Sequence, residues 1–196
     1  MDKMRLAVFV SGSGSNLQAI IDSVRDGDLD IDIGLVLSNN ANAFGIQRAK
    51  DAGIPTLLIN SKDFASRDEF VEAFLSSLAE YGINFIALAG YLRKIPSELI
   101  ERYKGRIVNI HPGPLPEFGG KGMFGIHVHE AVLNSSRKTT EVTVHFVTEG
   151  YDEGAIIAKC EVPIYKDDTP EILQQRALKV EHELYPQALK KFIEGH

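Results

Sequence analysis

Short apolar runs alternate with amphipathic stretches along most of the chain. Arg5-Leu6-Ala7-Val8-Phe9-Val10 is a continuous apolar run, as expected of a strand buried on both faces. A helical pattern follows from about Asn16 to Arg25, and Ser15-x-x-Gln18 has the form of a capping box that sets its start. The pattern then predicts a strand over Ile31 to Leu37, a helix over Phe44 to Ala52 and a strand over Pro55 to Ile59. A second capping box, Ser66-x-x-Glu69, opens a helix to about Tyr81. Ile83 to Ala89 and Arg106 to Ile110 read as strands, with a short helix near Pro96–Tyr103 between them. This β-α repetition predicts an α/β fold with a doubly wound, mostly parallel sheet.

The second half changes character. Pro112 to Gly125 holds three prolines and five glycines in 14 residues, a long loop of the kind that is functional or disordered. Its glycine content makes a mobile lid plausible. A helix over Ile126 to Leu133 follows. Glu141 to Thr148 and Ala155 to Ile164 read as two strands close enough in sequence for an antiparallel C-terminal hairpin. Thr169-Pro170 starts a last helix that runs to about Ile193. No repeat or linker marks a boundary, so a single domain over 1–196 is expected.

Composition narrows the function classes. The chain has 196 residues, 44% of them apolar and 24% charged, ordinary values for a globular protein. Twenty-one basic against 27 acidic side chains give a net charge of −6, which argues against a nucleic-acid partner. The single cysteine, Cys160, excludes an intramolecular disulfide and a cysteine zinc site, and its apolar surroundings predict a buried, inert thiol. The run after Met1-Asp2-Lys3-Met4 is too short to span a bilayer and shows no signal-peptide pattern. A cytoplasmic protein with no membrane partner is expected.

Three segments carry candidate chemistry. Ser11-Gly12-Ser13-Gly14-Ser15-Asn16 lies between the first strand and helix, where backbone N–H groups and a helix N-terminus can receive an anion. It is neither a dinucleotide fingerprint nor a Walker A loop, and it suits a single phosphate monoester. An ordinary tight turn with a good cap is the alternative. Asn109-Ile110-His111-Pro112 ends a strand with a carboxamide and an imidazole on one face. Such a pair can donate to an oxyanion or shuttle a proton, or it can simply satisfy loop backbone. Asp152, in Glu149-Gly150-Tyr151-Asp152-Glu153-Gly154, sits in what reads as a hairpin turn. Beside His111 it would orient the imidazole and raise its pKa. His127-x-His129 lacks a metal-ligand spacing, and His145 stands alone in an apolar strand pattern, so no metal is expected.

Taken together and in order, these segments resemble the phosphoribosylglycinamide formyltransferase family. The match is carried by Ser11-Gly12-x-Gly14-Ser15-Asn16-Leu17-Gln18, Ala89-Gly90-Tyr91-Leu92-Arg93 and Asn109-Ile110-His111-Pro112. Thr143-Val144-His145-Phe146-Val147, Tyr151-Asp152-x-Gly154 and Glu181-His182-x-x-Tyr185-Pro186 complete it. The resemblance covers essentially the whole chain and implies a Rossmann-type formyltransferase fold. Its N-terminal part, 1–105, would hold the ribonucleotide, and 106–196 would be catalytic and contact folate.

The implied reaction moves the formyl group of 10-formyltetrahydrofolate to the amine of glycinamide ribonucleotide. Asn109, His111 and Asp152 would be the catalytic trio. Gly14, Ser15 and Asn16 would take the phosphate, with Glu181 near the ribose. Folate would lie around Leu88–Ile95, touching Leu88, Leu92, Arg93, Lys94 and Ile95, with Arg67 close by. The loop Gly113–Gly125 departs from the Ser-Leu-Leu-Pro version of many members. In this reading the amine attacks directly, Asn109 and a protonated His111 hold the oxyanion, and Asp152 keeps His111 charged. The partners are small molecules, and the chain acts as a monomer or homodimer. The alternatives are a 10-formyltetrahydrofolate hydrolase, whose family carries an added N-terminal regulatory domain, and a non-catalytic sugar-phosphate-binding module. A methionyl-tRNA formyltransferase, with an extra RNA-binding domain, fits the acidic charge poorly.

Overall fold

The computed structural model describes residues 4–194. It is an α/β fold whose strand order is β3-β2-β1-β4-β5-β6-β7. The chain divides into two compact units between Val108 and Asn109.

The first unit contains β1 (Arg5–Val10), α1 (Ser15–Arg25), β2 (Asp32–Ser38), α2 (Phe44–Asp51), β3 (Thr56–Leu58), α3 (Arg67–Glu80), β4 (Phe85–Leu88) and α4 (Ser97–Arg102). β1 pairs in parallel with β2 on one side and β4 on the other, and β2 pairs in parallel with β3. β1 is an interior strand of a parallel sheet, whose βαβ crossovers place helices over both faces, and Leu6 to Val10 are all fully buried. Phe9, Leu17, Ile20, Phe74 and Leu78 are fully buried in this unit's core.

The two capping boxes behave differently. Ser66 Oγ accepts the Glu69 N–H at 3.2 Å, and Glu69 reaches back to the Ala65 N–H at 3.1 Å. At α1 the expectation is corrected: Gly14 is the N-cap and Ser15 the first helical residue, with no side-chain cap. Gly14 adopts φ 69°, and a Cβ there would lie 2.5 Å from Gly45 Cα, so only glycine fits. The Gln18 carboxamide turns elsewhere, donating to Asp22 Oδ1 at 3.1 Å and accepting from Arg48 Nη1 at 3.1 Å. A short 3₁₀ turn, Ser61–Asp63, is also present, held by Asn60 accepting from the Lys62 N–H.

β5 (Ile107–His111) crosses the boundary, and its last three residues open the second unit. α5 (Ile126–Asn134), β6 (Thr139–Phe146), β7 (Ile156–Pro163) and α6 (Pro170–Glu194) follow. β6 and β7 form the expected antiparallel hairpin, with a register shift between Val144 and His145. The buried Cys160 is a failed expectation, because the thiol is exposed. β7 is the terminal strand of the sheet order, and only its Val162 is fully buried.

Candidate functional site

The second unit concentrates buried polar side chains. Asn109 and His111 alternate along β5 and share a face, as do Thr143 and His145 along β6. Thr143, His145 and His111 are buried, while Asn109 is half-exposed. The hairpin turn returns Asp152 to this group. Its carboxylate lies 3.4 Å from His145 Nε2 and 3.8 Å from His111 Nδ1, and it accepts the Gly120 N–H at 3.0 Å.

Local backbone makes this placement possible. Asp152 takes φ 57°, a left-handed conformation that Asp tolerates better than most residues. Two residues on, a Cβ at Gly154 would sit 1.8 Å from the Phe146 carbonyl oxygen. The Phe146 N–H donates to Ala155 O at 3.0 Å, so turn and strand end are locked together. Gly154→Ala is therefore expected to destabilise the protein by on the order of 3 kcal/mol, since the clash is with backbone. A chemical-denaturation midpoint close to that of the unchanged protein would contradict this.

The hydrogen bonds set the tautomers. His111 Nε2 is 2.8 Å from the Phe118 carbonyl, which can only accept, so that nitrogen carries a proton. Its Nδ1 then faces Asp152 across 3.8 Å, beyond direct hydrogen-bond range. His145 Nδ1 likewise donates to Phe146 O at 2.8 Å. In the neutral ring its Nε2 accepts from Asn109 Nδ2 at 3.2 Å, which leaves the second amide N–H of Asn109 for another acceptor.

Charge follows from burial. Burial pushes the His111 pKa down, and the opposing pulls of Asp152 and the Phe118 carbonyl do not reverse it. The expectation of a raised imidazole pKa is thus corrected: the carboxylate is present, but desolvation outweighs it. Burial pushes Asp152 up, yet the neighbouring His145, the Gly120 N–H and the field of the two imidazoles bring it net below the ordinary carboxylate value. His129 on α5 is driven down to about 4 by burial and by His111. The His127-x-His129 pair is split, with His129 buried and His127 exposed beside Glu130 at 3.1 Å. Among the described residues no group of three or more His, Cys, Asp or Glu could hold a metal.

The glycine-rich segment after His111 is tied down over its first part. Gly113 O accepts from Thr143 Oγ1 at 3.0 Å, Pro114 O from the Phe118 N–H at 2.9 Å, and Phe118 O holds His111. A Cβ at Gly113 would meet Val128 at 2.6 Å and His111 Nε2 at 3.2 Å. This stretch is a wall of the site.

The remaining candidates divide between the units. Gly14, Ser15 and Asn16 form the first turn of α1, with Asn16 buried. Ser11 ties this loop together: its N–H donates to Gly90 O at 3.1 Å, its Oγ accepts the Leu92 N–H at 2.9 Å, and its hydroxyl bonds Asn39. Leu88 and Ile95 are buried at either end of the segment after β4, whereas Leu92, Arg93 and Lys94 are exposed. Arg67 opens α3 and pairs with Glu98 through two hydrogen bonds, one of 2.8 Å. That guanidinium holds the Glu98 carboxyl down at about 2. Glu181 is buried on α6 in the second unit.

Sequence reasoning missed His145, which bonds Asn109 and lies beside Asp152. The signal was Thr143-x-His145 in phase between Val142 and Val144, a polar face on an otherwise apolar strand.

Residues 4–189 match the family model described as formyl transferase. A crystal structure of glycinamide ribonucleotide transformylase 1 from Geobacillus kaustophilus is 41% identical, covering 97% of this chain and 98% of that one, with TM-score 0.90. That of phosphoribosylglycinamide formyltransferase from Brucella melitensis is 42% identical, covering 97% and 96%, with TM-score 0.89. The chloroplastic phosphoribosylglycinamide formyltransferase of Arabidopsis thaliana is 42% identical over 98% of this chain. This chain spans 66% of that relative and 14% of the trifunctional purine biosynthetic protein of Drosophila melanogaster, which is 43% identical. A formyltetrahydrofolate deformylase from Pseudomonas syringae shares the fold at TM-score 0.88 but only 22% identity. The chain belongs to the formyl transferase family, and within it to the phosphoribosylglycinamide formyltransferases.

Proposed function

We propose that this chain transfers the formyl group of 10-formyltetrahydrofolate to the amine of glycinamide ribonucleotide, in purine biosynthesis. The observation that carries the reading is the cluster of Asn109 and Asp152 around the buried His111 and His145 in a chain of this family. The family match crosses both compact units, which supports treating them as one formyltransferase domain.

Attack by a neutral amine on the formyl carbon needs no enzyme nucleophile. It needs a donor for the developing oxyanion and an acceptor for the amine's surplus proton. The Asn109 N–H left over from His145 is the donor. The neutral His111 Nδ1, open toward Asp152, is the acceptor. As the new C–N bond forms, a proton passes from the amine to Nδ1, and Asp152 stabilises the imidazolium. The same proton goes to the folate nitrogen as the old C–N bond breaks, so the site ends as it began. His145 is a positioning residue that fixes the Asn109 amide.

The first turn of α1, which has no side-chain cap, suits the ribonucleotide phosphate at Gly14, Ser15 and Asn16. Glu181 is assigned to the ribose. Folate is assigned to Arg67 and to Leu88, Leu92, Arg93, Lys94 and Ile95. No metal takes part in the proposed steps. Among the described residues no helix is long and apolar enough to cross a membrane. The exposed free Cys160 supports placement in a reducing compartment, and the cytoplasm is our assignment. The partners are the two small molecules, with the chain as monomer or homodimer.

Ser15→Asp places a negative charge where the phosphate is assigned. It is expected to raise KM for glycinamide ribonucleotide at least about tenfold, with kcat and the folate KM little changed. Steady-state kinetics with each substrate varied checks this, and an unchanged ribonucleotide KM would move the phosphate elsewhere.

A further inference from the structure

We infer that Arg48 is a positioning residue for the phosphate loop, a step that rests on the phosphate assignment above. Three successive carbonyls of the loop are anchored by one segment of chain. Ser11 O accepts from Asn40 Nδ2 at 3.1 Å, Gly12 O from the Gly45 N–H at 3.1 Å, and Ser13 O from Arg48 Nε at 2.9 Å. In a planar trans peptide the N–H points opposite to the C=O. Anchoring these carbonyls therefore directs the N–H groups of Gly12, Ser13 and Gly14 away from their anchors. Successive N–H groups held in this way form an anion-binding concavity.

Of the three anchors, Arg48 is the one made by a long side chain, and it is held from several directions. Its Nη1 donates to Gln18 Oε1 at 3.1 Å, which ties it to α1. Its guanidinium lies 4.9 Å from the centroid of the Phe44 ring, itself 56% exposed. Gly14 packs against Gly45 beside it, so loop and helix meet without side chains between them. Arg48 thus acts through the peptide between Ser13 and Gly14: its hydrogen bond sets the direction of the Gly14 N–H.

Two substitutions separate this role from a simple effect of charge. Arg48→Met keeps a chain over Phe44 but removes the donors and the charge. Arg48→Gln removes the charge yet places an amide N–H where Nε stands. The readouts are KM for glycinamide ribonucleotide, kcat, and inhibition by ribose 5-phosphate, with thermal melting as a check on folding. Arg48→Met is expected to weaken both ribonucleotide and ribose 5-phosphate about tenfold with kcat within about twofold. Arg48→Gln is expected to lie closer to the unchanged protein than to the Met variant. A Met variant with both constants unchanged overturns the inference. So does a Gln variant as weak as the Met variant, which would assign the effect to charge. Ser15→Asp distinguishes the two levels. If it raises KM while Arg48→Met does not, only the positioning role fails. If it also leaves KM unchanged, the phosphate assignment itself fails.

Discussion

Asp152→Asn is expected to lower kcat by about 10²–10⁴ while leaving the fold and both KM values nearly intact. The carboxamide has the carboxylate's shape, and its oxygen can still accept the Gly120 N–H now bound at 3.0 Å. What is lost is the negative charge 3.8 Å from His111 Nδ1. Burial already disfavours the charged imidazole, so an imidazolium formed during proton transfer depends on that carboxylate. Stopped-flow or steady-state turnover checks the expectation, with circular dichroism as the control for folding. A kcat within about threefold of the unchanged protein would remove Asp152 from the mechanism.

The second large effect is expected at His111. His111→Ala should cost a similar factor of about 10²–10⁴ in kcat, because the proton acceptor is gone. It carries a pH signature as well. The free-enzyme imidazole must be neutral to accept a proton, and burial holds its pKa below the ordinary 6.5. Activity through this group is therefore full above that depressed pKa and falls as pH drops through it. The kcat/KM profile should show its acid limb below pH 6.5, and the remaining activity of His111→Ala should lack that limb. Asp152 titrates below 3.8 and does not set this limb. Activity that instead falls as pH rises through the His111 pKa would mean that the imidazole works from its charged form.

Much of this molecule was legible in its sequence because the physics was local. Leu6 to Val10 read as a doubly buried strand, and all five are fully buried inside the parallel sheet. Ser66 and Glu69 cap α3 much as their spacing predicts. Ser15 and Gln18 have the same spacing, but the Gly14–Gly45 approach takes over the helix start. That contact links residues far apart in sequence, which no local pattern encodes. Cys160 failed for the same reason, since an alternating pattern does not say whether a strand ends a sheet.

At the site, the Asn-x-His spacing placed two side chains on one face, and Asp152 became meaningful only once the hairpin returned it to them. His145 escaped notice because its role lies in a tertiary bond to Asn109 at 3.2 Å. The His111 charge state was misjudged because the carboxylate was visible in the sequence and the burial was not.

The central claim is tested most directly by mixing the protein with 10-formyltetrahydrofolate, with and without glycinamide ribonucleotide. Free tetrahydrofolate and the mass of the ribonucleotide are then followed. Release of tetrahydrofolate only when the ribonucleotide is present, with one formyl group added to it, is the predicted result. Equal release without the ribonucleotide, with formate produced, would contradict it and make water the acceptor. No release in either mixture, from folded protein, would contradict it too and leave a binding module.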